Sequence, residues 1–102
     1  MKLTTLETAE QVPFSIDGRK MFTSANAELI HLTLKPNEKI ESHTNPFDVV
    51  FYVIEGTGCI RVENESVDVS ANNTLHVSAG LQRGLCNTGD TNLRVLVVKL
   101  FG

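Results

Sequence analysis

Helical periodicity is all but missing from this 102-residue chain. Only Leu3–Val12 carries any, enough for a short turn, so a helical fold is excluded. Basic clusters are missing too. Nine Lys and Arg stand against twelve Asp and Glu, and no cationic patch interrupts that slight negative excess. Nucleic-acid binding and electrostatic docking on a membrane are therefore unsupported. The opening MKLTTLETAEQVPF lacks the apolar core of a secretion signal, and no apolar run reaches the length of a membrane span. The two cysteines, Cys59 and Cys86, lie far apart and outside any CxxC spacing. They read as free thiols of a cytoplasmic protein. No repeat, linker or low-complexity tract divides the chain, and its length suits one domain, residues 1–102, with a modest core.

What is present speaks for β-structure. Ala27–Lys35 alternates, with Ile30, Leu32 and Leu34 on one face and Leu29, His31 and Thr33 on the other. Val49–Ile54, VVFYVI, is apolar on both faces and rich in β-branched and aromatic residues. Cys59–Val62 and Ser66–Val69 flank a turn at Glu63-Asn64-Glu65 and read as a hairpin. Leu75–Ser78 is a short strand between turn residues, and Leu93–Phe101 is a long, nearly apolar final strand. Short strands with frequent turn signals predict an all-β sandwich or barrel, preceded by an N-terminal arm over residues 1–26.

The most informative stretch is residues 36–56, PNEKIESHTNPFDVVFYVIEG. A turn is followed by a His and an Asn two residues on, then a bend at Pro46 and the apolar strand. Positions 37, 43, 45, 49 and 56 carry Asn37, His43, Asn45, Val49 and Gly56. A second set over residues 72–87 carries Asn72, Ser78, Gly80, Arg83 and Asn87. The spacing resembles that of a small single-domain cupin, whose two motifs are G(x)5HxH(x)3,4E(x)6G and G(x)5PxG(x)2H(x)3N. The resemblance covers about two-thirds of the chain and implies an all-β jelly-roll barrel. Asn37 and Asn72 replace the leading turn glycines. Asn is the side chain that best tolerates the left-handed backbone of such turns, so the fold is preserved.

The remaining departures fall on the metal ligands. The resemblance implies three His and one Glu around a divalent cation, but only His43 keeps its identity. Asn45 offers a neutral amide, Val49 offers nothing, and Arg83 brings a fixed positive charge. At about 4 Å, repulsion between unit charges costs on the order of 4 kcal/mol even at an effective dielectric of 20, and it scales with the ion's charge. No metal cofactor is expected in the usual position. Three further side chains bear on that. Asp48 adjoins the vacant Glu position, and it reads as a solvated or turn-capping carboxylate before a ligand. His76 and His31 read as half-buried strand histidines bonded to backbone. Cys86 is a soft ligand, but it has the opposite strand phase to Arg83.

On the same resemblance His43, Asn45 and Arg83 project into the mouth of the barrel, beside Asp48, with Phe47, Phe51 and Leu85 as apolar wall. Arg83 then either closes a salt bridge with Asp48 or stays free to take a carboxylate or phosphate. His43 adds a hydrogen bond or acid/base capacity. Asn87 matches the motif's structural Asn. The expected function is binding of a small molecule, in particular a carboxylate. The alternative is a cupin-type isomerase, dioxygenase or decarboxylase with a metal site rebuilt around His43, for which one His without a carboxylate is a poor platform. A third reading is an oligomerisation unit with a collapsed barrel. Because Val49–Ile54 is apolar on both faces and the chain has no helix to cover it, a homodimer is expected. Phe51 or Tyr52 would lie near its two-fold axis, according to strand phase.

Overall fold

The alternation along the strands closes the chain into two facing antiparallel sheets. The computed structural model describes residues 1–102. Its strands are β1 (Glu10–Gln11), β2 (Asp17–Thr23), β3 (Ala27–Leu34), β4 (Lys39–His43), β5 (Asp48–Glu55), β6 (Thr57–Val62), β7 (Glu65–Ser70), β8 (Thr74–Val77), β9 (Arg83–Asn87) and β10 (Leu93–Leu100). The larger sheet has the order β1-β2-β3-β10-β5-β8 and the smaller one β4-β9-β6-β7. All pairs are antiparallel. This is a jelly-roll barrel. No helix is long and apolar enough to cross a membrane.

The expected strands are present with ends shifted by a residue or two, and the predicted inward set of β3 (Ile30, Leu32, Leu34) is buried. Four strands were not expected. The strand β2 lies in the presumed N-terminal arm, and its burial is too even to show a period of two. The strand β4 has the sequence KIESH and is mostly exposed. The strand β9 is interrupted by Gly84, and β1 is only two residues long. The hairpin turn is tighter than predicted, because Glu65 already pairs with Val62 and only Glu63 and Asn64 make the turn. The short turn near the N-terminus is present, closed by the Ala9 amide donating to the Thr5 carbonyl at 2.9 Å.

Packing divides the barrel along its length. At one end Leu34, Ile60, Leu93 and Val95 are completely buried, and Val53 nearly so. Asn87 closes this end. Its amide nitrogen donates to the Leu34 carbonyl at 2.9 Å and to the Thr91 carbonyl at 2.8 Å, and its oxygen accepts from the Gly89 amide at 2.8 Å. Two residues away along the same strands, toward the other end, lie Leu32 on β3, Phe51 on β5, Val97 on β10 and Leu85 on β9, and all four border a cavity of about 480 Å³. One end of the barrel is filled and the other is hollow.

The leading positions of both motifs and their two retained glycines have left-handed backbone: Asn37 (φ 72°), Asn72 (φ 70°), Gly56 (φ 89°) and Gly80 (φ 84°). The Asn substitutions thus keep the turn geometry. Asn37 is exposed, so its backbone conformation can be tested apart from packing. Asn37→Gly is expected to leave stability unchanged or raise it, and Asn37→Val to lower it by about 1–2 kcal/mol. Urea-unfolding midpoints check both.

Candidate functional site

A register shift places the polar residues of the cavity. Pairing of β4 with β9 runs Ile40↔Leu85 and then His43↔Arg83, so β4 carries one residue more than β9 in that interval. The bulge turns His43, and not Ser42, toward the same side as Ile40. Gly84 stands opposite the bulge, where a Cβ would lie 3.0 Å from both the Ile40 carbonyl oxygen and the Ser42 hydroxyl. His43 Nδ1 lies 3.0 Å from the Glu41 carbonyl oxygen. A carbonyl only accepts, so Nδ1 carries the proton and neutral His43 keeps its lone pair on Nε2.

Arg83 is 2% exposed and lines the cavity. Its Nη1 donates to the Leu81 carbonyl at 3.4 Å. The Asn45 amide, oriented to satisfy both its ends, donates to the Thr44 carbonyl and accepts from Arg83 Nη2. None of the chain's ion pairs includes Arg83. Burial pulls its pKa down, yet a guanidinium stays charged. The other charges at the rim have partners: Glu41 meets Lys39 at 3.3 Å, and Lys99 meets Glu28 at 3.4 Å. Arg83 is the one unneutralised charge in an otherwise largely apolar chamber.

Of the six predicted pocket residues, His43, Asn45, Phe51, Arg83 and Leu85 border the cavity and Asp48 does not. Alternation along β5 sends Val49, Phe51 and Val53 inward, so Asp48, Val50 and Tyr52 face out. Asp48 Oδ2 instead meets His76 Nε2 at 2.9 Å, and Oδ1 accepts from the Ala79 amide at 3.0 Å. The His76 bond first, and then the amide, hold the Asp48 carboxyl below its usual range. His76 is accordingly an exposed residue bonded to a side chain, not a half-buried one bonded to backbone. Phe47 also leaves the pocket, packing edge-on against Phe101 with ring centroids 5.0 Å apart. Sequence reasoning missed Phe14, Ile30, Leu32, Ile40 and Val97 as wall residues. The phase of β10 was available to find Val97, but nothing in the N-terminal arm signals that Phe14 reaches the mouth.

The implied cupin metal does not match these donors. Its four ligand positions hold one imidazole, one amide, a buried valine and a guanidinium, and no three His, Cys, Asp or Glu side chains converge anywhere in the chain.

A jelly-roll barrel with a chamber at one end defines a class of small β-barrel proteins, and sequence comparison makes it specific. The family model for the cupin domain matches residues 30–99, and the chain belongs to that family. TcmJ, a tetracenomycin polyketide synthase protein of Streptomyces glaucescens, is 34% identical over 67 residues. That match covers 65% of this chain but only 45% of TcmJ. The polyketide cyclase RemF of Streptomyces resistomycificus superposes with a TM-score of 0.86 at 17% identity, covering 100% of this chain and 80% of that one. An RmlC-like cupin from Shewanella frigidimarina gives 0.88 at 12% identity, covering 100% and 92%. At these identities the structural likeness shows the fold alone.

A second cleft of about 420 Å³ lies where the N-terminal segment crosses β2, β3 and β10, and His31 lines it. His31 is buried, not half-buried as expected. Burial, and then the Arg94 charge, push its pKa below 6.5, against an upward pull from Asp17, while Arg19 adds a smaller downward push. The folded protein thus binds this proton less readily than the unfolded chain does. The stability that neutral His31 allows is present above about pH 6.5 and is lost as pH falls from there toward the folded-state pKa. Between pH 7 and 5, urea midpoints of the wild type should fall more steeply than those of His31→Gln.

Proposed function

We propose that the cavity binds a small organic acid, with the acidic group on Arg83 and the apolar body along Leu32, Phe51 and Leu85, and with no metal in the usual cupin position. The observation that carries this reading is a guanidinium at 2% exposure with no carboxylate partner. Burying an unpaired charge is costly, and an anionic ligand removes most of that cost. Asn45 holds the guanidinium, and His43 at the mouth supplies a directional contact to the ligand. A chamber of about 480 Å³ is in the size range of small-molecule sites, which speaks against a collapsed barrel. TcmJ is named as a polyketide synthase protein and RemF as a polyketide cyclase, and a polyketide acid is one molecule with the required apolar body and acidic end.

A catalytic reading rests on one observation, the Glu41 carbonyl bond that engages His43 Nδ1 and directs Nε2 of the neutral ring, as an acceptor, to the mouth. On that reading His43 is a general base toward a bound acid, and it needs the same Arg83 anchor. The test is calorimetric titration of acetate, benzoate and inorganic phosphate into wild type and Arg83→Gln, with and without a chelator. A charge-assisted contact is worth about 1.5–3 kcal/mol, so Arg83→Gln should weaken binding of the preferred anion roughly 10- to 150-fold, with no effect of the chelator. Equal affinities in the two proteins would overturn the proposal.

We further propose a homodimer built on the outer face of the larger sheet. There Val50, Tyr52 and Ile54 of β5 adjoin Leu96 and Val98 of β10. Tyr52 and Ile54 are 38% and 39% exposed, and strand phase puts Tyr52 on this face and Phe51 inside. Light scattering at micromolar concentration is expected to give twice the 11.2 kDa chain mass, and Tyr52→Glu to return it to one chain. A monomeric wild type refutes the dimer.

A further inference from the structure

The two cysteines, far apart in sequence, stand directly opposite each other on the outer face of the smaller sheet. Cys59 of β6 pairs with Cys86 of β9 in antiparallel register, in a row continued by Lys39 of β4 on one side and Asp68 of β7 on the other. We propose that Cys59 and Cys86 are a redox-active dithiol, which a peroxide converts into a disulfide bridging β6 and β9.

Geometry supports the bridge without a change of fold. Residues directly opposite in an antiparallel pair have Cα atoms about 4.5–5.5 Å apart, inside the roughly 4.4–6.8 Å window of disulfides. Their Cβ atoms, about 4.5–5.5 Å apart in such pairs, lie slightly beyond the disulfide mean of about 3.8 Å. The bridge therefore forms under mild strain and is readily reduced, which suits a reversible modification. Both residues are partly exposed, so a small oxidant reaches them. No other cysteine is available, so any bridge within one chain is this one.

The chemistry balances with hydrogen peroxide as the oxidant. Either thiol can react first, with the same steps and the two roles exchanged; in one order Cys59 leads. Its thiolate attacks one peroxide oxygen, the O–O bond breaks, and the departing hydroxide takes the proton that Cys59 gave up. Cys59 is now a sulfenic acid. Cys86 sulfur then attacks Cys59 sulfur, the S–S bond forms and the S–O bond breaks. The released hydroxide takes the Cys86 proton as a second water. The peroxide has gained the two electrons that the thiols lost.

The bridge also bears on the chamber. Along β9, Arg83 and Leu85 line the chamber while Cys86 does not, so a disulfide at Cys86 ties the strand that carries Arg83 to its neighbour. The enclosed loop contains β7, β8 and the second motif's turn.

The test is to treat the folded protein with a small excess of hydrogen peroxide, quench, denature and alkylate with iodoacetamide before intact mass measurement. The expected product is a monomeric chain about 2 Da lighter than the reduced chain, with neither cysteine alkylated and with full alkylation restored by dithiothreitol. Cys59→Ser and Cys86→Ser should each give only sulfenic or higher acids, or disulfides between chains. Alkylation of both cysteines after peroxide, or bridges found only between chains, overturns the proposal. The wild-type mass decides the matter even if a serine variant fails to fold, and the result is independent of anion binding at Arg83.

Discussion

Four of the strands that border the chamber are each anchored by a buried side chain two residues away on the same strand. Leu32 is followed by Leu34, Phe51 by Val53, and Leu85 by Asn87, while Val97 is preceded by Val95. These anchors make the filled end of the barrel. Burial of a Leu, Ile or Val side chain contributes about 1.5–3 kcal/mol, and Leu34, Ile60, Leu93 and Val95 are the most deeply buried hydrophobic side chains of the core. Asn87 ties that end together by bonding carbonyls on both sides of it. The hollow end contributes less packing and holds a buried charge, so its geometry is borrowed from the filled end.

Strand phase decides where charge goes. Asp48 and Val49 are neighbours in the chain, yet the pleat of β5 sends one to the surface and the other into the chamber. The Asp48 carboxylate, the expected partner of Arg83, is thereby committed to His76 and the Ala79 amide on the outer face. At the position where the family motif has an inward Glu, this chain places a buried valine. Positive charge inside and negative charge outside are two results of the same alternation, and they leave Arg83 without a partner from its own chain.

Much of this was legible in the sequence, and the misses have physical causes. Turn positions were readable because Asn at 37 and 72 satisfies a backbone requirement that few residues meet. The inward face of β3 was readable because its alternation is unbroken. Asp48 was placed beside the pocket because it adjoins the motif's vacant Glu position, whereas the pleat of β5 turns it outward. Its alternative reading as a turn-capping carboxylate agrees with its bond from the Ala79 amide. The strands β2 and β4 escaped notice because each lies in the outer half of its sheet and buries too little on either face to show a period. The bulge that brings His43 opposite Arg83 was invisible, since it depends on the register of two strands distant in sequence. Phe14 reaches the mouth by tertiary placement of the N-terminal arm, which no local pattern records.

An arginine kept only for structure is expected to have a carboxylate or several carbonyls around its five donors. Arg83 has one long bond to a carbonyl and one to an amide oxygen. Those contacts orient the guanidinium without neutralising it. An apolar side chain of similar volume would cost the folded state less, since replacing buried charge by hydrophobic packing is often neutral or stabilising. A site that gives up stability in this way is the kind expected where function and stability conflict. The chamber, the orienting Asn45 and the uncompensated charge are thus the three features on which the proposed anion site rests.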